Sequence, residues 1–107
     1  MTVDKELLKG STETLVMQLL SRKQMYGYEI IKELELKSSG LFELREGTLY
    51  PILHSLEEKE LVTSEWVGED GSRKRKYYCL TKKGRSYLKE KKQDWFAFRD
   101  AVDAIVI

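Results

Sequence analysis

Leu49, Ile52, Leu53 and Leu56 recur at i, i+3, i+4 and i+7 within REGTLYPILHSLEEKEL, residues 45–61. That spacing predicts a helix with one apolar stripe committed to a core. The opposite side carries Gly47, Tyr50, Pro51 and His54, then Glu57 and Glu58, so its first half offers flat, hydrogen-bonding groups to solvent while its end is acidic. Two starts fit this helix. Thr48 as N-cap would put Pro51 in the first turn, where proline is tolerated; a start near Glu46 would put Arg45 at the capping position, where it has no acceptor to offer the first N–H groups.

The rest of the chain reads as elements arranged around this one. Residues 4 to about 22 predict a core helix, with Leu8, Leu15 and Leu19 on one face, Val16, Met17 and Leu20 widening the arc, and Gly10 interrupting its first half. Residues 24–27 read as a turn, and residues 28 to about 37 as a second helix with Ile30, Ile31 and Leu34 inward, ended by Ser38, Ser39 and a left-handed Gly40. Two short helices, the second with an unusual exposed face, form a helix-turn-helix pattern. Residues 61–67 and 76–80 are rich in β-branched and aromatic side chains, and the Asp70-Gly71 pair between them is a hairpin signal. A hairpin directly after a helix-turn-helix is a wing. Thr81 then caps a helix running to about Val106, in which Leu88, Trp95, Phe98, Val102 and Ile105 follow heptad spacing, interrupted by Lys91. Such a seam calls for a partner helix, and a second copy of the chain supplies one.

The expected architecture is therefore mainly α with a β-hairpin wing: a winged helix-turn-helix domain over residues 1–80 and a C-terminal dimerisation helix over residues 81–107, forming one compact unit. The length of 107 residues suits a single domain, and the 35% of charged residues with one proline suits a helix-rich soluble protein. No apolar run approaches the roughly 20 residues that span a bilayer. The polar MTVDKE start lacks the apolar centre of a secretion signal, so the expected location is cytoplasmic. Cys79 has no second cysteine to pair with and reads as a small buried apolar residue.

The net charge of +1 hides an uneven distribution. From Arg73 to Lys92, Glu90 is the one acid among ten basic residues, whereas residues 57–70 are mostly acidic. A basic surface over Arg73, Lys74, Arg75 and Lys76 on the hairpin points to phosphate or minor-groove contact, against the plainer reading of a solvated charge run. Neither metal nor catalytic chemistry is expected. One His and one Cys on different elements, with no glycine-rich phosphate loop and no oriented carboxylate pair, make no catalytic constellation, and no cofactor is called for.

Three groups of residues resemble the PadR family of bacterial transcriptional regulators, particularly its short subfamily. They are Tyr26-Gly27-Tyr28-Glu29-Ile30, Gly47-Thr48-Leu49-Tyr50-Pro51, and Gly71-x-Arg73-x-Arg75-Lys76-Tyr77-Tyr78-x-Leu80-Thr81-x-x-Gly84. The resemblance covers nearly the whole chain and favours the earlier start of the central helix; Arg45 departs from the small polar residue common at that site. It implies a cytoplasmic homodimeric repressor of double-stranded operator DNA, with the third helix in a major groove and the wing beside the backbone or minor groove. Arg45, Gly47, Thr48, Tyr50, His54, Arg73, Lys74, Arg75 and Lys76 are then the DNA-contacting candidates, with Glu57 and Glu58 directed away from DNA. It further implies release by a flat aromatic effector at the dimer centre, where Trp95 matches the position of paired tryptophans and Phe98 and Asp100 lie nearby; the plainer reading of Trp95 is dimer packing. A winged-helix protein-interaction module without DNA binding is the alternative for the whole chain.

Overall fold

The computed structural model describes residues 10–68 and 73–107. Among the described residues four helices and three strands follow in the order α1 (Thr12–Leu20), β1 (Met25–Tyr26), α2 (Gly27–Lys37), α3 (Glu46–Glu58), β2 (Val62–Val67), β3 (Arg75–Leu80) and α4 (Lys82–Val106). This is the expected mainly helical, winged architecture. Within the described residues the first helix is shorter than its periodicity predicts, because Gly10 and Ser11 form a turn before it; Leu8 lies outside the described residues, as does the Asp70-Gly71 turn.

The core is where the apolar stripes meet. Val16, Met17 and Leu20 of α1, Ile30 and Leu34 of α2, and Leu49, Leu53 and Leu56 of α3 are buried against Val62, Tyr78 and Leu80 of the sheet. Each such side chain contributes about 1.5–3 kcal/mol on leaving water. Leu15, Ile31 and Ile52 are partly buried at the rim.

The sheet has one strand more than expected. Its order is β1-β3-β2, antiparallel throughout, with Met25 opposite Tyr78, Thr63 opposite Cys79 and Trp66 opposite Lys76. Residues 25 and 26, which read as part of a turn, are the added edge strand, fixed by the edge-to-face packing of Tyr26 on Tyr77 at 5.3 Å. Alternation then decides the fate of Cys79. Tyr78 and Leu80 face the core, so Cys79 points outward and is exposed, contrary to the buried role expected of it.

Local chemistry ends each helix. Tyr26 N donates to Glu29 Oε1 at 3.3 Å before the first turn of α2, and beyond the last turn Ser39 and Gly40 both adopt positive φ. The α3 helix begins at Glu46 with Arg45 as its N-cap, and Arg45 makes no side-chain capping bond; its carbonyl accepts from Thr48 and Leu49 N. Glu60 takes the left-handed conformation after α3, letting Leu61 N reach Leu56 O at 2.9 Å. Thr81 joins three elements: its Oγ1 accepts from Gly84 N at 2.9 Å and donates to the carbonyls of Glu60 and Leu61. Gly84 packs so closely on the Leu61 carbonyl that a Cβ would collide with it.

Only the start of α4 shares in this core. Gly84 and Leu88 are buried, whereas every residue from 93 to 107 is exposed. Leu88, expected in an intermolecular seam, is 5% exposed and belongs to the chain's own core. Seven-residue spacing runs through it because the same helix face meets the core first and solvent later.

Candidate nucleic-acid interface

The side of α3 opposite its buried leucines presents Gly47, Pro51, His54 and Glu58, all exposed. On the shoulder facing the sheet lie Glu46, Tyr50, His54 and Glu57, at steps of four, four and three residues. The inner face of the wing stands across from this shoulder, and the two enclose a cleft of about 590 Å³. His54 and Tyr50 line it from α3, and Trp66, Arg73, Lys74 and Lys76 line it from the wing. The structure thus brings together the central helix and the hairpin basic run, two candidate groups far apart in sequence.

Individual candidates differ in how free they are. Arg45, Gly47, Thr48, Arg73 and Lys74 are exposed. A Cβ built on Gly47 meets no atom of the described residues within 4 Å, so nothing among them requires glycine there. Tyr50 is less free than its exposed position suggested: its ring and hydroxyl lie against Gly27 at the start of α2, where a Cβ would collide with them. Arg75 stacks its guanidinium 4.6 Å from the Tyr26 ring centroid.

Lys76 and Glu57 meet each other within the chain. Glu57 is half-buried and turned toward the wing, where its Oε2 accepts from Ser64 Oγ at 2.8 Å and its Oε1 lies 3.8 Å from Lys76 Nζ. Lys76 also lies over the Tyr78 ring, 5.6 Å from its centroid. The pair links the wing to the C-terminal half of α3. Tyr78, 1% exposed, has its hydroxyl pKa raised above the usual 10.0 by burial first, then by Glu57 and Tyr50. The phenol beneath the cleft is therefore neutral at physiological pH. Glu58 remains exposed at the end of α3.

Sequence reasoning missed three aromatic members of this surface. Tyr26 and Tyr28 flank Gly27 at the start of α2, and Trp66 stands on the wing. The signal for Trp66 was present: Val62, Ser64 and Trp66 alternate onto the inner face of β2.

On α4, Trp95, Phe98, Val102 and Ile105 are all exposed, Phe98 at 68% and Ile105 at 84%. The ring that meets Trp95 within the chain is Phe96, edge-to-face at 5.7 Å, with the Arg99 guanidinium over both. Asp100 accepts from Arg99 Nε and Nη2 at 3.3 and 3.1 Å. A smaller cleft of about 340 Å³ runs between α1 and α4 beside Phe96, and Gln18 Oε1 is buried there with no hydrogen-bond partner among the described residues. Among the described residues no cluster of three His, Cys, Asp or Glu could hold a metal, and no described helix is long and apolar enough to cross a membrane.

Comparison with known proteins agrees with this geometry. The profile of the transcriptional regulator PadR-like family matches residues 16–90. The chain is 31% identical over 101 residues to an uncharacterized protein of Lysinibacillus sphaericus, covering 94% of this chain and 93% of that one. It is 32% identical over 84 residues to the transcriptional regulator YqjI of Escherichia coli, covering 78% of this chain but 39% of that protein. Among solved structures, a transcriptional regulator from Clostridium thermocellum superposes with a TM-score of 0.87 at 30% identity, covering 95% of this chain and 99% of that one. A PadR-like regulator from Bacillus cereus gives 0.81 at 30% identity, covering 94% and 96%.

Proposed function

The chain belongs to the PadR-like family of transcriptional regulators, and from that premise we propose that it is a homodimeric, sequence-specific repressor that reads double-stranded operator DNA with α3 and its wing. The observation that carries this reading is the single cleft shared by the exposed shoulder of α3 and the hairpin residues Arg73 and Lys74. Helix N-termini attract phosphate, and the side-chain-poor surface at Gly47 lets backbone N–H groups of α3 approach it. Arg45, at the same end, is exposed and offers guanidinium donors that suit a phosphate. Thr48, Tyr50 and His54 lie within reach of base edges or sugar-phosphate, and Arg73, Lys74 and Arg75 supply charge to the backbone.

The exposed row of Trp95, Phe98, Val102 and Ile105 supports dimerisation through α4. A flat aromatic effector between the two copies of Trp95 and Phe98 would release the operator by favouring one angle between the DNA-reading heads, which requires unequal affinity for the two states. Asp100 is engaged by Arg99, so a cationic effector must compete with that guanidinium.

Binding of the purified protein to its own upstream DNA and to a scrambled duplex, titrated with salt, tests the DNA reading. Selective, salt-sensitive binding is the expected result, and the Arg73→Ala, Lys74→Ala double variant should flatten the slope by about 0.9 per lost phosphate contact. Absence of binding at low salt would favour the protein-interaction module instead.

A further inference from the structure

The wing carries a tryptophan that the charge argument leaves unused. Trp66 is 66% exposed, yet it points to the inner face of the sheet, opposite Lys76, and forms a wall of the cleft beneath α3. Large aromatic side chains cover the most area at low entropic cost when something settles on them. No ring contact within the described residues uses Trp66, whereas Tyr26, Tyr77, Trp95 and Phe96 all have partners.

The duplex itself identifies the occupant. When a helix lies in a major groove and a wing lies beside the adjoining minor groove, the one sugar-phosphate strand that separates those grooves must pass between them. The cleft therefore receives a single backbone strand. Its wing wall sets Arg73 and Lys74, which match the phosphates in charge, beside an indole, which matches the apolar face of a deoxyribose. Tyr28, exposed at the start of α2, lines the same cleft. Glu46, also on the cleft, repels phosphate and thereby favours strand positions near the wing.

We infer that Trp66 packs on a deoxyribose of the operator strand running between α3 and the wing, and that it supplies a part of the affinity that does not depend on salt. This rests on the DNA-binding reading above and adds a residue that carries no charge. A phosphate contact releases counterions and changes the salt slope, whereas an apolar contact with the sugar releases none. The two kinds of contact are separable by one titration.

Operator affinity is measured across a range of salt for the native chain, Trp66→Ala and Trp66→Phe, with tryptophan emission recorded during each titration. Trp66→Ala should bind roughly five- to thirtyfold more weakly, the range for truncating a desolvated aromatic anchor, with an unchanged salt slope. Trp66→Phe should recover most of the loss. The chain has two tryptophans, so the DNA-induced change in emission that Trp66→Phe abolishes is that of Trp66. Circular dichroism of both variants reports whether the hairpin has kept its fold. Operator binding by the native chain with equal affinity in a folded Trp66→Ala variant, or with no emission change from Trp66, overturns the inference and leaves the DNA reading standing. Failure of the native chain to bind any duplex overturns both.

Discussion

Gly27 and Tyr50 stand in two separate sequence motifs, and in the fold they are one contact. The Tyr50 ring fills the space that a side chain on Gly27 would need, which explains the glycine by packing instead of by backbone conformation. Gly27→Ala should therefore push the exposed Tyr50 ring aside and cost up to about 1 kcal/mol, the low end for overpacking because a side-chain tip yields more easily than backbone. Adding Tyr50→Ala should recover part of that loss in urea unfolding, a coupling that a double-mutant cycle measures; strictly additive effects would separate the two residues. The periodicity of α3 put Tyr50 on the solvent side, which is correct, but no local pattern says which glycine of another helix its ring will cover. Cys79 is the opposite case. The alternation of Tyr78 and Leu80 already forced it outward, and reading cysteine by its average burial overrode a signal that strand geometry supplied.

At the scale of elements, legibility followed length. The α3 stripe was readable because four apolar positions agree with one period, and β2 and β3 because each is six residues long and rich in β-branched or aromatic side chains. The two residues of β1 carry no period, and only their pairing with β3 makes them a strand. The Lys76–Glu57 link was equally hidden, since it depends on how the wing leans on the end of α3. Within α3, Gly47 presents a cost with no return among the described residues: a helical glycine is about 1 kcal/mol less favourable than alanine, and none of them crowds its position. On the proposed DNA-binding reading, close approach of a phosphate backbone would account for it. Gly47→Ala should raise thermal stability by about 0.5–1 kcal/mol while weakening operator binding roughly tenfold, or about 1.4 kcal/mol. A variant that gains stability and keeps its affinity would place the DNA elsewhere.

At the scale of the whole molecule, α4 divides the chain's apolar surface between two uses. Its first turns complete the winged core through Gly84 and Leu88, and its remaining length carries Trp95, Phe98, Val102 and Ile105 into solvent. Heptad spacing alone showed a seam without showing where the intramolecular part ends, because that boundary depends on how far the core reaches along the helix. The division has a consequence for mutation. Phe98 and Val102 lie beyond the buried turns, so Phe98→Glu with Val102→Glu should leave thermal unfolding of the winged core nearly unchanged while converting a dimer to a monomer in sedimentation. Operator affinity should fall by a factor on the order of 10²–10⁴, because one reading head no longer holds the other at high effective concentration. On the proposed effector reading, quenching of Trp95 emission by planar aromatic cations or phenolic acids should disappear in the same variant, since the proposed site is built from both copies and includes Phe98. A charged pair that leaves the dimer intact would move the interface off this face of α4. Loss of the dimer with quenching retained would confine the effector site to a single chain, where Phe96 and Arg99 already flank Trp95.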